Sequence, residues 1–452
     1  MALTGIQILK MLPKKNCGEC DIPTCLAFAM KVAAGQAAID ACPYVSEEAK
    51  QTIGEASAPP IRTIKLGAGE GAFTLGGETC QFRHEKRFEN PTGIAIQVAT
   101  SENAAAVEGK ISRFNAMVFE RVGVMMRANL IAVKDASGDA AAFTKLVEKV
   151  IKDAPKAALI LMTDSVDAMK AGVAACGERK PLLYGASAGN LQAMADLAKA
   201  AGCALAVKGK NLDELVDLSA KLLAAGLKDL VIDSGARTLR AAFEDGVVAR
   251  RSAVKEKYKP LGFPTITFPG EMTDDPMMEA MIASVLMAKY AGIVVLSDIQ
   301  GDLLFPLLLE QLNIFTDPQR PMVVQEDIYP ITGPGENSPV LITCNFSLTY
   351  FIVSGEIEGS KVPSWLLIKD TEGLSVLTAW AAGKFGADLI AQFVNKSGIK
   401  DKIKHRELII PGYLASLKGE LEEELADWTI TIGPREAGHL PAFLKEWKPA
   451  AK

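Results

Sequence analysis

The four cysteines nearest the N-terminus form the pattern in this sequence that is best suited to chemistry. They follow the spacing C-x2-C-x4-C-x16-C and are Cys17, Cys20, Cys25 and Cys42. Four thiolates can hold either a 4Fe-4S cluster or a structural zinc ion. Pro43 directly follows the last of them, as proline often does in bacterial ferredoxin-type sequences. The spacing therefore predicts a metal centre near the N-terminus.

The details of the spacing favour the iron–sulfur cluster over zinc. Zinc sites usually pair two C-x2-C knuckles, whereas this segment has one, followed closely by a third cysteine. Four buried structural cysteines are a weaker alternative, because so small a segment has too little core to fold without a metal. The other cysteines stand singly in apolar contexts and are expected to be core residues. They are Cys80, Cys176, Cys203 and Cys344.

The chain around this centre is long, apolar and weakly acidic. It has 452 residues, is 49% hydrophobic and carries a net charge of −5. This composition excludes a disordered protein or a disulfide-stapled mini-protein and argues against a nucleic-acid partner. No signal-peptide pattern and no long uninterrupted apolar run is found, so we expect a cytoplasmic protein with no membrane partner. Thiols stay reduced there, which again favours metal binding.

Two sets of secondary-structure elements follow the cysteine segment. An Ala-rich helix is predicted over Leu26–Ala38, and an alternating segment at Ile61–Gly77 predicts a β-hairpin. Eight apolar strands then alternate with amphipathic helices, at residues 93–100, 130–137, 157–164, 181–187, 204–209, 229–235, 264–269 and 292–298. Eight such units over about 230 residues predict a (β/α)8 TIM-type barrel, with a doubly wound sheet as the alternative.

The C-terminal part has a different α/β rhythm. The Pro- and Gly-rich segment Pro321–Pro339 is predicted to be a linker or an ordered lid. Four strands follow, at residues 339–345, 364–371, 406–412 and 428–434. They predict an open, doubly wound, Rossmann-like sheet. The α/β chain is thus expected to comprise a cluster domain at 1–58, a hairpin plus barrel at 59–322, and an α/β ligand-binding domain at 323–452.

Each C-terminal strand ends in small or polar residues, and parallel strands present these ends at the sheet edge where ligands bind. No G-x-G-x-x-G follows the first strand, which disfavours a dinucleotide and leaves a flavin or a cobamide. The D-x-H-x-x-G loop that supplies a cobalt ligand in many cobamide proteins is also missing. The histidines have no such spacing and are His84, His405 and His439.

Taken together, these parts resemble the large subunit of the corrinoid iron–sulfur protein of the reductive acetyl-CoA pathway of anaerobes. That family holds its cobamide base-off, with no protein histidine on cobalt. The resemblance implies a methyl carrier, of the transferase class if one is assigned, without catalytic residues of its own. Its cob(I)amide accepts a methyl group from methyltetrahydrofolate on a methyltransferase, and methylcob(III)amide donates it to acetyl-CoA synthase. A small barrel subunit is the expected heterodimer partner.

The resemblance also implies roles for particular residues. The four N-terminal cysteines match the ligands of a 4Fe-4S cluster, which passes an electron from a low-potential donor to cobalt that has been oxidised to Co(II). At the C-terminal sheet edge, hydroxyl and amide groups would contact the corrin, although each residue could instead be a helix cap or a loop glycine. The candidates are Thr343, Asn345, Thr371, Gly373, Leu374, Ser375, Val376, Gly412, Gly433, Pro434 and Ala437.

Two other functions fit the same parts of the sequence. One is a flavin- or folate-using oxidoreductase with an accessory iron–sulfur cluster. The other is a pterin-dependent methyltransferase that works at the carboxyl ends of the barrel strands, where polar residues such as Asp135, Thr163 and Asp233 occur. Several of these residues are equally suited to cap the following helix.

Overall fold

The computed structural model describes residues 3–34, 36–121 and 124–449, and the chain forms two compact units. The first comprises residues 1–82, 88–117 and 128–315, and the second comprises residues 83–87, 118–127 and 316–452. Within the described ranges, no helix is long and apolar enough to cross a membrane. The division of the first unit into a cluster domain and a barrel domain remains a prediction.

The first unit begins with a small helical module that contains the cysteine segment. Its helices are α1 (Gly5–Met11), α2 (Cys25–Ala33) and α3 (Glu47–Ser57). The side chain of Thr24 caps α2 by accepting a hydrogen bond from the Ala27 amide at 3.1 Å, so this helix begins at the third cysteine. The helix predicted to reach Ala38 ends at Ala33, and a short 3-10 turn at Ile39–Ala41 leads to the fourth cysteine.

A hairpin and a series of βα units follow the module. The hairpin strands are β1 (Ile64–Leu66) and β2 (Phe73–Leu75). The next strands are β3 (Gly93–Ala99), β4 (Phe119–Arg121), β5 (Val124–Met126), β6 (Leu130–Lys134), β7 (Ala158–Met162), β8 (Leu182–Ala186), β9 (Leu205–Lys208), β10 (Leu230–Asp233), β11 (Thr265–Thr267) and β12 (Ala291–Leu296). The intervening helices are α4 (Ala104–Ala116), α5 (Ala140–Asp153), α6 (Val166–Cys176), α7 (Leu191–Ala201), α8 (Leu212–Ala224), α9 (Leu239–Lys255), α10 (Pro276–Ala288) and α11 (Gly301–Ile314).

Eight strands of the first unit close into a parallel barrel, and the hairpin β1-β2 forms a separate sheet. The hydrogen-bonded order of the barrel strands is β10-β11-β12-β3-β6-β7-β8-β9, with β9 returning to β10. Side chains of the hairpin, including Ile64 and Leu75, pack in the same buried cluster as Leu130 and Ile160 of the strands. The interior is thus a packed core, as expected for a barrel of this size. The predicted TIM-type barrel is confirmed.

The short strands β4 and β5 pair with each other and belong to the second unit, whose remaining elements follow the barrel. Its other strands are β13 (Asp327–Ile331), β14 (Val340–Cys344), β15 (Ser364–Lys369), β16 (Glu407–Ile410) and β17 (Thr429–Ile432). Its helices are α12 (Ser347–Ser360), α13 (Val376–Ala381), α14 (Ala387–Lys396), α15 (Lys418–Glu424) and α16 (Leu440–Glu446).

The sheet of the second unit is open and mainly parallel, as predicted. Its order is β13-β15-β14-β16-β17, and β13 is an antiparallel edge strand. The segment Pro321–Pro339 therefore contains a strand and is more than the linker or lid that its composition predicts. Pro330 is tolerated within β13 because an edge strand does not need every backbone donor. The first parallel strand, β14, lies between β15 and β16, so the chain reverses its direction of sheet growth between β14 and β16.

Candidate cofactor sites

The loop that carries the first three cysteines is tightly coiled. Four residues in and before it have left-handed backbone conformations, with φ of 55° at Lys14, 47° at Asn16, 76° at Gly18 and 59° at Asp21. Only glycine adopts this region without a steric cost, and asparagine and aspartate tolerate it better than other residues. This backbone shape bends the chain repeatedly within a few residues, as wrapping around a compact ligand requires.

The thiols of the module differ in exposure. Cys17 is exposed, Cys20 and Cys25 are half-buried, and Cys42 is buried. The last three pack against the module core around Phe28. Over the described ranges, no three His, Cys, Asp or Glu side chains stand in an arrangement that could already hold a metal ion. The donor set itself, four thiols and no histidine, fits an iron–sulfur cluster.

Asn16 connects the first and third cysteines of the loop. Its side-chain Oδ1 accepts a hydrogen bond from the Cys25 backbone amide at 2.8 Å, and the Asn16 backbone amide donates to Cys25 Sγ at 3.4 Å. Amide donors directed at ligand sulfurs are one means by which proteins stabilise reduced clusters. Asn16 therefore positions a thiol and offers it a donor, a role that the cysteine spacing alone does not reveal.

Tyr44 joins the two ends of the cysteine segment. Its hydroxyl donates to Glu19 Oε1 at 2.7 Å, and the Lys15 ammonium lies 3.8 Å from the centre of its ring. The hydrogen bond to Glu19 raises the pKa of the Tyr44 phenol. Since Tyr44 follows Cys42 by two residues and Glu19 lies between Cys17 and Cys20, the contact links the distant fourth cysteine to the loop.

A cavity of about 360 Å³ lies in the second unit at the carboxyl edge of its sheet. Its wall is built from the ends of β14 and β16, together with α12, the start of α13 and the loops that follow β16 and β17. The position coincides with the reversal of strand order between β14 and β16, which is where open parallel sheets bind ligands. The volume falls within the range of small-molecule sites.

The predicted corrin-contact residues divide into two groups. Those that line the cavity are Thr343, Ser375, Val376, Gly433, Pro434 and Ala437. Those that lie outside its lining are Asn345, Thr371, Gly373, Leu374 and Gly412. Within the second group, Asn345 and Gly412 support the loops of the cavity through contacts of their own.

Asn345 is a buried hydrogen-bonding centre for the loop after β15. Its Oδ1 accepts from the Thr371 amide at 3.0 Å, the Thr371 hydroxyl at 2.9 Å and the Gly373 amide at 3.0 Å. Its Nδ2 donates to Asp370 Oδ1 at 2.7 Å. The side chain is 3% exposed, so water cannot readily replace these bonds. Asn345 therefore shapes the loop that carries the cavity residues Ser375 and Val376.

Gly412 allows two loops to meet at the edge of the cavity. A Cβ at this position would lie 2.5 Å from the Gly433 carbonyl oxygen and 2.7 Å from the Arg435 amide nitrogen. The Gly412 amide donates to the Pro434 carbonyl at 3.1 Å, and the Gly433 amide donates to the Ile410 carbonyl at 2.9 Å. Glycine is required here because the backbones approach too closely for any side chain.

Several cavity residues were not predicted from the sequence. Helix α12 contributes Thr349, Ile352 and Val353. The loops after β16 and β17 contribute Tyr413, Arg435 and Glu436. The available signal was that α12 is apolar around much of its circumference, which is unusual for a surface helix. Ile352 is in fact 48% exposed. The Tyr413 hydroxyl donates to Glu436 Oε1 at 2.8 Å, which raises the pKa of the phenol.

The polar residues at the barrel's carboxyl end satisfy one another. Tyr184 donates to Asp233 Oδ2 at 2.6 Å, Arg237 Nη2 contacts the same oxygen at 2.9 Å, and Arg237 Nε contacts Glu271 Oε2 at 2.5 Å. Burial raises the pKa of Glu271, but hydrogen bonds from Lys134 and Arg237 outweigh it and the net shift is downward. Asp233 Oδ1 accepts from the Gly235 amide at 2.8 Å. Both oxygens of this central carboxylate are therefore engaged.

The remaining cysteines are buried, and His405 is engaged by a backbone carbonyl, so none of them is a good candidate for a metal ligand. Cys80, Cys176, Cys203 and Cys344 are buried. Burial raises the pKa of the Cys176 thiol to about 12, so it is a poor source of thiolate. His405 Nε2 lies 2.9 Å from the Ser338 carbonyl oxygen. The cavity lining, in the part of the chain that the structure describes, contains no histidine.

Comparison with known proteins identifies the class first. The family described as "CO dehydrogenase/acetyl-CoA synthase delta subunit" matches residues 63–444, and the family described as "Putative Fe-S cluster" matches residues 12–44. Among individual relatives, the corrinoid/iron-sulfur protein large subunit of Moorella thermoacetica is 46% identical over 98% of this chain and 99% of its own length. The chain belongs to the family of corrinoid/iron-sulfur protein large subunits.

Archaeal relatives extend the similarity. The acetyl-CoA decarbonylase/synthase complex subunit gamma of Methanopyrus kandleri is 33% identical, over 98% of each chain. Among solved structures, dihydropteroate synthase from Thermus thermophilus matches 55% of this chain and 97% of its own, with a TM-score of 0.39 and 14% identity. That last similarity is too low to bear on function.

Proposed function

We propose that this chain is a methyl-group carrier that holds a cobamide in the cavity of its second unit and a 4Fe-4S cluster on its N-terminal cysteines. It takes a methyl group from methyltetrahydrofolate on a methyltransferase and delivers it to acetyl-CoA synthase. The proposal is supported by family membership, since one relative is named a corrinoid/iron-sulfur protein large subunit and another is named a subunit of an acetyl-CoA decarbonylase/synthase complex. The observation that carries it is the cavity of about 360 Å³ at the point where the strand order reverses.

The cavity suits part of a cobamide, and its surroundings suit the rest. The bound cobamide would supply a cobalt centre that gains and loses the methyl group. Around the cavity, the large apolar side chains of Ile352, Leu377 and Tyr413 are 48%, 44% and 46% exposed. Such exposure is costly unless a ligand or partner covers it. We assign this apolar rim to a flat face of the corrin and the polar cavity residues Thr343, Thr349 and Ser375 to its amide side chains.

The described cavity lining offers no histidine to ligate cobalt, which fits the proposed base-off cobamide without a protein ligand. An imidazole ligand from the protein would stabilise the oxidised metal and make its reduction harder. Without one, the proposed cluster on Cys17, Cys20, Cys25 and Cys42 would be able to supply the electron that returns oxidised cobalt to its reactive state. The lining side chains are mostly apolar or neutral, apart from Arg435 and from Glu436, whose Oε1 accepts a hydrogen bond from the Tyr413 hydroxyl at 2.8 Å.

The cysteine module supplies the reductive function in this proposal. Cys17, Cys20, Cys25 and Cys42 would ligate the cluster, and Asn16 would direct its amide to the Cys25 sulfur. A low-potential electron donor and a small barrel subunit are the further partners that we propose. The alternative of a pterin methyltransferase is not favoured, because Asp233 at the barrel's carboxyl end is already engaged by Tyr184 and Arg237.

Methyl transfer in a single turnover tests the proposal. The protein, loaded with cobamide and cluster, is reduced with titanium(III) and mixed with radiolabelled methyltetrahydrofolate and a methyltransferase. We expect the label to move to this chain and then to acetyl-CoA synthase. Transfer to free cobalamin by the chain alone would instead support the pterin alternative, and flavin released by acid precipitation would support an oxidoreductase.

The cluster's role is tested by Cys20→Ala under the same conditions. This variant should lose reductive activation by a protein donor, yet still accept the methyl group when titanium(III) supplies the electrons. Failure to accept methyl under titanium(III), with the cobamide still bound, would contradict a purely reductive role for the cluster.

A further inference from the structure

The two helices that flank the cysteine loop expose large apolar side chains. Ile6 on α1 is 63% exposed, and Leu26 and Met30 on α2 are 49% and 55% exposed. A Cβ at Gly5 would lie only 2.3 Å from Met30 Sδ, so α1 and α2 meet at this point, and Ile6 is the next residue of α1. Leu26 and Met30 are one helical turn apart and share a face of α2. We call these three side chains the apolar patch of the module.

The segments of chain that carry this apolar patch are rich in lysine. Residues 3–17 and 22–34 include four lysines and no aspartate or glutamate, whereas the acidic residues of the module lie in the segments 18–21 and 40–48 and on α3. The lysines are Lys10, Lys14, Lys15 and Lys31. Lys10 follows Ile6 by one turn of α1, and Lys31 adjoins Met30. Lys10, Lys14 and Lys31 are exposed, and none of these three has an ion-pair partner within the described residues.

The patch lies close in the chain to two of the cluster ligands that we propose. Leu26 directly follows Cys25, and Lys15 precedes the exposed Cys17 by two residues. A molecule seated on this patch would therefore lie close to the first and third cysteines of the loop. A second copy of this chain is a poor occupant, because a two-fold contact would place the same lysines against each other.

We propose that Ile6, Leu26 and Met30, with the lysines of the same segments, form the docking surface for a small acidic iron–sulfur electron carrier that reduces the cluster. This proposal rests on the proposed function, in which the module holds a cluster. Electron-transfer partners use small interfaces, and an apolar centre with a charged rim allows both contact and rapid release. Opposite charges on the partner accelerate encounter, and this acceleration is lost as salt screens the charges.

The experiment uses the full-length protein with cluster and cobamide, and a reduced bacterial ferredoxin with two 4Fe-4S clusters as the probe. Stopped-flow absorbance gives the second-order rate of cluster reduction at low and high salt, and surface plasmon resonance gives ferredoxin affinity. The test variant is Lys10→Glu/Lys31→Glu. The matched control is Lys145→Glu/Lys396→Glu, which makes the same charge change on exposed lysines of α5 and α14. Met30→Ser tests the apolar centre separately.

We expect ferredoxin to reduce the cluster of the test variant at least about tenfold more slowly than that of the control at low salt. The rate for the test variant should also lose most of its dependence on salt. Met30→Ser should weaken ferredoxin binding without changing the salt dependence. Reduction by dithionite should be the same in every protein, which shows that the cluster is intact. Equal ferredoxin rates and affinities in the test and control variants would overturn the docking proposal. A wild-type protein without a dithionite-reducible cluster would instead contradict the proposed function.

Discussion

The Asn345 side chain accepts hydrogen bonds from both the amide and the hydroxyl of Thr371, at 3.0 and 2.9 Å. These two residues follow adjacent strands, β14 and β15, at the edge of the sheet that carries the cavity. Their contact fixes the distance between two loops and thereby the start of α13. The shape of the proposed cobamide site therefore depends on a buried pair that does not line it.

Replacing Asn345 should loosen this site. Asn345→Ala leaves the Thr371 and Gly373 amides without their acceptor in a buried position, at a cost of about 1–3 kcal/mol in the free energy of unfolding. We expect weaker cobamide binding in an equilibrium titration followed by visible absorbance. Asn395→Ala, at an exposed position of α14, is the control and should bind like the wild type. Unchanged binding by Asn345→Ala would show that the loop is held by other contacts.

The close approach at Gly412 provides a second test of the same cavity. In Gly412→Ala the new methyl group meets the Gly433 carbonyl, so the two loops must separate, at a cost of about 1–3 kcal/mol. We expect a lower unfolding midpoint in urea and reduced cobamide retention on gel filtration. Gly419→Ala, where a Cβ has no neighbour within 4 Å, should not lower stability. Equal behaviour of the two variants would contradict the packing described at this edge.

Much of the fold could be predicted from the sequence, because periodicity reports burial directly. The barrel strands are continuous apolar segments such as Leu159–Leu161, which is typical of parallel strands covered on both faces. The edge strand Asp327–Ile331 was not predicted, since it is half-exposed, contains Pro330 and is paired on one side only. Its pairing with β15 is a tertiary contact that its own composition does not encode.

The candidate cavity could be predicted only in part. The strand-end rule led to Thr343 and Gly433, because parallel strands place their carboxyl ends on one edge. It could not separate residues that face the cavity from those that support it, such as Asn345. It also omitted Ile352 and Val353, because the face of α12 that turns toward the cavity depends on how the helix packs.

The Tyr44 contact should affect how firmly the cluster is held. Tyr44→Phe removes the hydrogen bond to Glu19 and keeps the ring beside Lys15, whereas Tyr44→Leu removes both contacts. We expect cluster loss to a chelator, followed at the cluster's visible absorbance, to be faster in Tyr44→Phe and faster still in Tyr44→Leu. Tyr258→Phe, at an exposed tyrosine outside the module, is the control. The same rate in all four proteins would remove Tyr44 from this role.

Exposed and buried cysteines should be alkylated at different rates. In cluster-free protein at about pH 8, Cys17 should react fastest with iodoacetamide because it is exposed. Cys176 should react slowest, because it is buried and its pKa is raised to about 12. Cluster insertion should then protect the four module cysteines, as peptide mass spectrometry would show. Labelling of Cys17 that persists undiminished after cluster insertion would argue against its role as a ligand.

We propose that one chain carries two independent cofactor sites, one for a cluster and one for a cobamide. Metal content tests this most directly. Cobalt and iron are measured in anaerobically reconstituted wild type, in Cys20→Ala, in Ala437→Trp, which places a large side chain at a residue that lines the cavity, and in Ala426→Trp, its exposed control. We predict about one cobalt and about four irons in the wild type and the control. Cys20→Ala should lose iron and keep cobalt, whereas Ala437→Trp should lose cobalt and keep iron. Full cobalt in Ala437→Trp, or a wild type that binds no cobamide, would contradict the account.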